Sequence, residues 1–415
     1  MLKIDSKKIW TASLVFYIIC STAFSYGVLK PLNTISLYLF FAVSIFCILA
    51  RGAFRLNFVV VSLVLYGMIM ALGMFYTPAP DSQATKILYY YITMAVLAVC
   101  VVQYIREIKD VETIMFAYML AGLAMAIYVY ALYGSSLLEI LQANAEEEAQ
   151  YIGRFGKELT NVNTISLCTA VSAIIGVYYL IFSRTSVWKT VLSAVTVVFC
   201  FVISMAAASK KSLILIVVCF FAMFLYNALG SRRIFKHLLG LIFTLAVIFG
   251  LIYLIMNHPM FSGIAARFED LFDFMKGEGG TGSEKKRFEF VQRGLQVFWD
   301  HIFFGSGTSS SFFYFATYSH NNFVEVLMNS GLVGFGVFYF GHFIAAYRYL
   351  KNPTRYKENS KIFILLFALF VGITVCSMAI VYYYDRYYMI LLTAAFSATG
   401  IVGKESAAAH KELGS

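Results

Sequence analysis

Charge is scarce in this sequence. Only 13% of the 415 residues are Asp, Glu, Lys or Arg, against about a quarter in a soluble domain that must keep its surface wet. The shortage excludes an ordinary aqueous globule of this length. Paired cysteines are lacking too. The seven cysteines, Cys20, Cys47, Cys100, Cys168, Cys200, Cys219 and Cys376, form no C-x-x-C pair, and each lies in an apolar run where a thiol acts as a small hydrophobe. No disulfide framework or thiolate metal site is implied, and the redox compartment stays open. Internal repeats and low-complexity segments are also missing.

What the chain has instead is apolar length. Sixty per cent of the residues are hydrophobic and the mean hydropathy is +0.77. Runs of about 18 or more apolar residues bounded by charge read as membrane-spanning helices. They fall at 10–28, 32–50, 57–75, 87–105, 113–133, 160–183, 189–208, 211–229, 237–256, 322–347, 362–383 and 386–403. The expected fold is an all-α integral membrane protein of about twelve transmembrane helices. Residues 1–403 read as a single polytopic domain with a long loop, about 257–321, between the ninth and tenth spans. A polar tail, 404–415, follows. The first span comes after Lys3, Lys7 and Lys8 with no small-residue cleavage site, so it reads as a retained helix and not a signal peptide.

The net charge of +10 would suit a nucleic-acid ligand if it formed a patch, but it is spread by topology. With the N-terminus inside, Arg51, Arg55, Arg106, Lys109, Arg184, Lys189, Arg232, Arg233 and Lys236 fall on the inner side, as do the basic residues from Arg348 to Lys361 and the tail lysines. The positive-inside rule then puts both termini in the cytoplasm and the long loop outside. No nucleic-acid partner is expected.

Two outer loops stand out. One, 134–159, carries Ala-Glu-Glu-Glu-Ala at 145–149 and then Gly153-Arg154-Phe155-Gly156-Lys157. In the long loop, 259–275 spaces Phe261, Ile264, Phe268, Leu271, Phe272 and Met275 as an amphipathic helix. After a Gly-rich break at 277–282, the stretch 287–303 does the same with Phe288, Val291, Leu295, Phe298 and Trp299. Such helices lie in the interface with the apolar face down. They either cover a cavity opening to the outer leaflet or simply pack on lipid.

The residues able to carry chemistry collect on the outer side. His320, in Ser319-His320-Asn321-Asn322, can take a proton from a hydroxyl nucleophile, or it can be a bystander beside a helix cap. Glu325, inside an apolar run, is costly unless it faces the protein interior or a wet cavity. It could orient His320, bind a sugar hydroxyl or serve in a salt bridge. Lys210 and Lys211 form a tight outer turn against the positive-inside bias, as snorkelling anchors or as contacts for an anion. Arg287 opens the second amphipathic helix, with Arg293 farther along it, and Arg154 lies on the other outer loop. Arginine's planar fork binds two phosphate oxygens at once, whereas the adjacent Lys285 and Lys286 read as a solvated face. Cations and a base on one side of the membrane suit a lipid-linked phosphate or pyrophosphate attacked by a hydroxyl. No metal pattern accompanies them: there is no D-x-D at an outer span end and no H-E-x-x-H, and Asp300-His301 has no third ligand at useful spacing. No cofactor is expected.

His320-Asn321, nine residues, then Gly331-x-x-Gly334 resembles the motif of the O-antigen polymerase and O-antigen ligase superfamily. Ser209-Lys210-Lys211-Ser212-Leu213 resembles the family's Ser-Arg-x-Ala-Leu turn, with lysine in place of arginine. Lys286-Arg287-Phe288, Trp299 and Gly305-x-Gly307 are similar to a further family stretch. Arg154-Phe155-Gly156 with Asn161-Val162-Asn163 resembles a pattern of the polymerases. The resemblance, over about 154–340, implies a metal-independent, inverting glycosyltransferase at the outer face of the bacterial cytoplasmic membrane. His320 would be the catalytic base, with Arg287 and Lys210 on the donor pyrophosphate. Arg154, Lys211, Asn321, Asn322, Glu325 and Arg293 would be candidate substrate contacts. The donor implied is a saccharide on undecaprenyl pyrophosphate. The acceptor is a second lipid-linked saccharide for a polymerase of O-antigen, capsular or exopolysaccharide repeats, or lipid A–core for a lipopolysaccharide ligase. The 154–163 pattern and the Ser-His-Asn-Asn form favour the polymerase. Membrane lipids are the surroundings and a chain-length regulator is a candidate further partner. A transporter or flippase of lipid-linked sugars is the alternative from another class, although mid-membrane charges and repeats would then be expected.

Overall fold

In hydrocarbon every backbone N–H and C=O must be satisfied within its own segment or a closed barrel. This chain takes the first solution. The computed structural model describes residues 5–25, 27–137, 161–183, 185–207, 209–229, 231, 234–276, 282–351 and 353–413, and its regular structure there is helical. In order these are α1 (Ser6–Ala23), α2 (Lys30–Arg51), α3 (Phe58–Gly73), α4 (Asp81–Tyr104), α5 (Ile108–Tyr133), α6 (Val162–Ile181), α7 (Val187–Ala206) and α8 (Lys210–Ala228). Then come α9 (Ile234–Asn257), α10 (Ser262–Lys276), α11 (Gly282–Asp300), α12 (Ser311–Phe315), α13 (Asn322–Lys351), α14 (Pro353–Asn359), α15 (Ile362–Cys376) and α16 (Arg386–Leu413).

Among the described residues, seven helices are long and apolar enough to cross a membrane: α2, α4, α5, α6, α7, α8 and α13. Three shorter apolar helices, Phe58–Gly73, Ile362–Cys376 and Arg386–Val402, fall below that length. Helix covers at least part of each of the twelve expected stretches. Ile35, Phe46, Leu49, Leu72, Phe235 and Phe249 lie exposed along these helices. An apolar surface of that extent belongs against lipid.

The chain divides into two compact units. The first comprises Met1–Arg51, Lys109–Gly279 and Pro353–Gly372. Its helices meet through small residues, as expected where packing and not hydrophobic burial drives association. A Cβ on Gly122 of α5 would fall on the Ser172 side chain of α6, and one on Gly176 of α6 would fall on Val197 of α7. Lys7 and Asp110 pair at 2.7 Å with the aspartate side chain 5% exposed, and Trp10 Nε1 donates to Ser44 Oγ across α1 and α2. Tyr226 of α8 stacks on Phe367 of α15 at 4.4 Å.

The second unit comprises Gly52–Ile108, Gly280–Asn352 and Ile373–Ser415. Here α13 packs on α3, α11 and α16, and α4 on α3 and α16. Tyr66 sits at its centre, with the rings of Phe338, Tyr91 and Tyr383 at 5.1, 5.4 and 6.1 Å.

Several helix bounds depart from the expected runs, among them α1, which ends at Ala23 and not at 28, and α4 and α5, which start at Asp81 and Ile108 and not at 87 and 113. Helix α15 ends at Cys376, short of the expected 383, because Asn322 supplies the hydrogen bonds of the next segment: its N–H donates to Ser377 O, and its Oδ1 accepts from Tyr382 N and Tyr383 N. The second amphipathic helix begins at Gly282, five residues earlier than the apolar pattern, and ends at Asp300. The expected polar tail continues α16 as helix to Leu413.

Candidate active site

Helix α13 carries the glycine half of the motif, Gly331-x-x-Gly334, and at Gly331 the helix breaks. The residue adopts φ 61° and ψ −163°, a region open essentially to glycine alone. Such a break strands two carbonyls on one side and two N–H groups on the other, and each would be costly if buried unpaired. The chain leaving α11 pairs with all four. Leu332 N and Val333 N donate to Ile302 O and Phe303 O, while Ser306 N and Gly307 N donate to Met328 O and Asn329 O. The fit is close: a Cβ on Gly331 would lie 2.4 Å from the Phe303 carbonyl carbon. Gly305 and Gly307 also take positive φ, 69° and 94°. The two glycine patterns in the sequence are the two halves of one joint.

From this joint the segment 305–321 returns to the start of α13 over a buried polar floor. Ser306, Thr308, Ser309, Ser310 and Ser311 are all buried. Thr308 Oγ1 donates to Met70 O at 2.5 Å. Ser310 N and Oγ both donate to Asn329 Oδ1. Glu325, 1% exposed, accepts from Ser311 Oγ at 2.6 Å and Asn329 Nδ2 at 3.3 Å on one oxygen, and from Ser319 N at 2.7 Å on the other. A buried carboxylate is tolerable only with its lone pairs filled in this way.

His320 stands directly after Ser319. It has φ 59°, a left-handed conformation uncommon outside glycine. Its ring is half-buried, 4.2 Å from Tyr318 and parallel to Phe290 of α11 at 6.3 Å. Asn321 caps α13, its Oδ1 accepting from Phe323 N at 3.0 Å and Val324 N at 3.1 Å. Asn322 is fully buried and donates to Tyr339 Oη at 2.8 Å, besides holding the 382–383 backbone. Of the Ser-His-Asn-Asn run, therefore, the histidine is the side chain presented, while the serine and the two asparagines secure its frame.

Arg287 lies one turn before Phe290 on α11, its Nη1 3.3 Å from both oxygens of Glu284. It is close enough to Tyr318 to act on it: burial pushes the Tyr318 hydroxyl above the usual range, the Arg287 guanidinium pulls it back and Glu325 adds to the rise. The same face of α11 that carries Phe290 seats on α13 two turns later, through Val297, Val324 and Met328. Gly294 permits that approach, since a Cβ there would meet Val324 Cγ1 at 2.4 Å. Arg293 is exposed, and six residues from Arg287 it points about 120° away around the helix. The structure thus brings His320, Tyr318, Phe290 and Arg287 together and leaves Arg293 apart.

Lys210 and Lys211 belong to the first unit, where they open α8. Cations at a helix N-terminus oppose the helix dipole. The turn is held from beneath by a serine cluster: Ser212 Oγ donates to Ser209 O at 2.8 Å, and Ser166 Oγ to Ser212 Oγ at 2.6 Å. Ser209 is at the cap position yet makes no side-chain cap bond, and its buried hydroxyl has no hydrogen-bond partner among the described residues. Arg154 lies outside the described residues. Among those described, no three His, Cys, Asp or Glu side chains converge as metal ligands would.

Sequence reasoning passed over the supports. Tyr318 and Phe290 carry no motif of their own. The hydroxyl run Ser306 to Ser311, in a chain otherwise so apolar, and the i, i+4 pair Glu325 and Asn329 were the available signals of a buried polar floor.

Residues 195–339 match the family model described as O-antigen ligase. The matched stretch holds Lys210, Lys211, Arg287, Arg293, His320, Asn321, Asn322 and Glu325. No curated protein matches the chain. That match, which takes in the histidine loop and its glycine joint, supports the resemblance to the O-antigen polymerase and ligase superfamily over residues 195–339.

Proposed function

We propose that the protein is a metal-independent inverting glycosyltransferase acting at the outer face of a bacterial cytoplasmic membrane. It polymerises saccharide repeat units carried on undecaprenyl pyrophosphate. The observation that supports this best is the presentation of His320: one half-buried base on a loop whose supports are all internally hydrogen-bonded, beside the helix that carries Arg287.

In the reaction, the acceptor hydroxyl oxygen attacks the anomeric carbon of the donor sugar from the face opposite the pyrophosphate. The carbon–oxygen bond to pyrophosphate breaks, and the electron pair leaves with the lipid pyrophosphate. His320 accepts the hydroxyl proton. Positive charge near the departing oxygens lowers the barrier, which is the role assigned to Arg287 and, on the resemblance, to Lys210. The unpartnered Ser209 hydroxyl and the N–H groups opening α8 suit an anion at that turn as well.

The polymerase is preferred to the ligase on the 154–163 pattern and the Ser-His-Asn-Asn form. Purified protein given lipid-linked repeat unit should make a ladder of products without lipid A–core. Transfer only when core is added would select the ligase, and no transfer under either condition would favour a transporter. The outward placement has its own check. A Lys285→Cys variant should react with a membrane-impermeant thiol reagent in intact spheroplasts, over a low background because the seven native cysteines are buried. Labelling only after lysis would reverse the topology.

The cation roles are separable. One charge-assisted contact to the leaving group is worth about 2–4 kcal/mol, two to three decades in rate. Arg287→Ala should be nearly inactive and Arg287→Lys partly active, since a point charge replaces a fork. Lys210→Arg should keep substantial turnover, whereas Lys210→Gln should not. Equal turnover for Lys210→Gln and the parent at matched protein levels would leave that lysine an interfacial anchor.

A further inference from the structure

Glu325 is the least explained charge in the second unit. A sugar ligand needs an accessible oxygen, but this carboxylate is 1% exposed and accepts from three donors on three different stretches of chain: Ser311 Oγ, Asn329 Nδ2 and Ser319 N. The Ser319 contact matters most. Its backbone N–H is the middle of Tyr318-Ser319-His320, the segment whose two flanking rings emerge in contact at 4.2 Å. Ser319 is fully buried, and its hydroxyl donates to Asn321 O at 2.9 Å. The Tyr318–Ser319 peptide is therefore held from below by Glu325, and the His320–Asn321 peptide by the Ser319 hydroxyl, which accepts from Asn321 N at 3.3 Å.

We propose that Glu325 is the positioning residue for His320, holding the histidine in its left-handed conformation through the Ser319 N–H and the Ser311 hydroxyl. The proposal rests on His320 being the base.

The pocket demands an acceptor-only group of this length. Asn329 cannot turn its amide, because its Oδ1 already accepts from Ser310 N and Ser310 Oγ, so its Nδ2 must face Glu325. Ser319 N–H is a backbone donor and cannot turn either. A glutamine at 325 has one acceptor oxygen, and whichever donor it serves, its own NH2 meets the other fixed donor. Aspartate is one methylene too short to span both. Serine 311 is the milder lever, since Ser311→Ala removes one donor and leaves the other two contacts in place.

The test reads geometry and chemistry separately, on the full-length protein in detergent. Reaction of His320 with diethylpyrocarbonate is measured by mass spectrometry against exposed His301 in the same molecule. Glu325→Gln should raise the His320 to His301 rate ratio severalfold, and Ser311→Ala should raise it less. Turnover of lipid-linked repeat unit per folded molecule should fall by about 10–100-fold in kcat for Glu325→Gln, the scale of a misplaced catalytic group. KM for the donor should stay within about twofold. If Glu325→Gln does not fold, Ser311→Ala carries both readouts. An unchanged labelling ratio, or a changed ratio with normal kcat, overturns the positioning role. Turnover by His320→Ala would instead overturn the catalytic reading, and it leaves the labelling result standing, so the two failures are distinguishable.

Discussion

His320→Ala should stop polysaccharide formation while leaving the protein folded and inserted. A positioned general base contributes about two to four decades in rate, the largest single loss expected at this site. The structural cost is small by comparison. Removing the imidazole takes away ring contacts with Tyr318 and Phe290, but the floor beneath, from Glu325 to Ser319 and from Asn321 to the α13 N-terminus, involves no imidazole atom. The backbone sets one further condition, since φ at this position is 59°, a region that histidine and asparagine enter several-fold more readily than most side-chain-bearing residues. His320→Asn is therefore the sharper variant. Asparagine tolerates the left-handed region and carries no base. Both variants should melt close to the parent, and both should show under about 1% of its turnover. Asparagine activity within twofold of the parent would remove His320 from the mechanism, since neither strain nor folding could then be blamed.

Gly331→Ala should be the most damaging substitution for the fold of the second unit. Two costs add. The backbone conformation, φ 61° and ψ −163°, costs a residue with a Cβ about 1–3 kcal/mol. The new methyl would also lie 2.4 Å from the Phe303 carbonyl carbon and oxygen and 2.6 Å from Gly305 N. These are backbone atoms that cannot rotate away, and overpacking of this kind costs about 1–3 kcal/mol more. Relief requires separating α13 from the 302–307 segment, which would strand the four backbone groups the joint pairs. The expected result is loss of monodisperse protein in detergent, or a strongly lowered melting temperature with no turnover. Gly336 supplies the control on the same helix, with nothing within 4 Å of its would-be Cβ. Gly336→Ala should match the parent in yield and melting. Equal melting for Gly331→Ala and Gly336→Ala would mean that the joint is looser than drawn.

The sequence by itself determined the solvent and the secondary structure. Thirteen per cent charge leaves no aqueous alternative, and lipid admits few backbone solutions, so apolar runs become helices wherever they occur. It also placed His320 beside a helix start, because Ser-His-Asn-Asn before an apolar run is a local capping pattern. Tertiary structure decided what each polar residue does. Asn322 reads as a second substrate amide in sequence, but in the fold it hydrogen-bonds backbone 60 residues away at Tyr382. Glu325 reads in sequence as an orienter of His320, a sugar ligand or a salt-bridge partner, and the fold places it under the loop with three neutral donors. Gly331 reads as one of two motif glycines, and only the fold shows that its break is completed by the chain leaving α11. The reason is common to all three. Hydropathy, helical period and capping act within one segment and are written in neighbouring residues. The donors and acceptors exposed by a helix break or carried by a buried carboxylate are matched by whichever distant segment the packing brings against them.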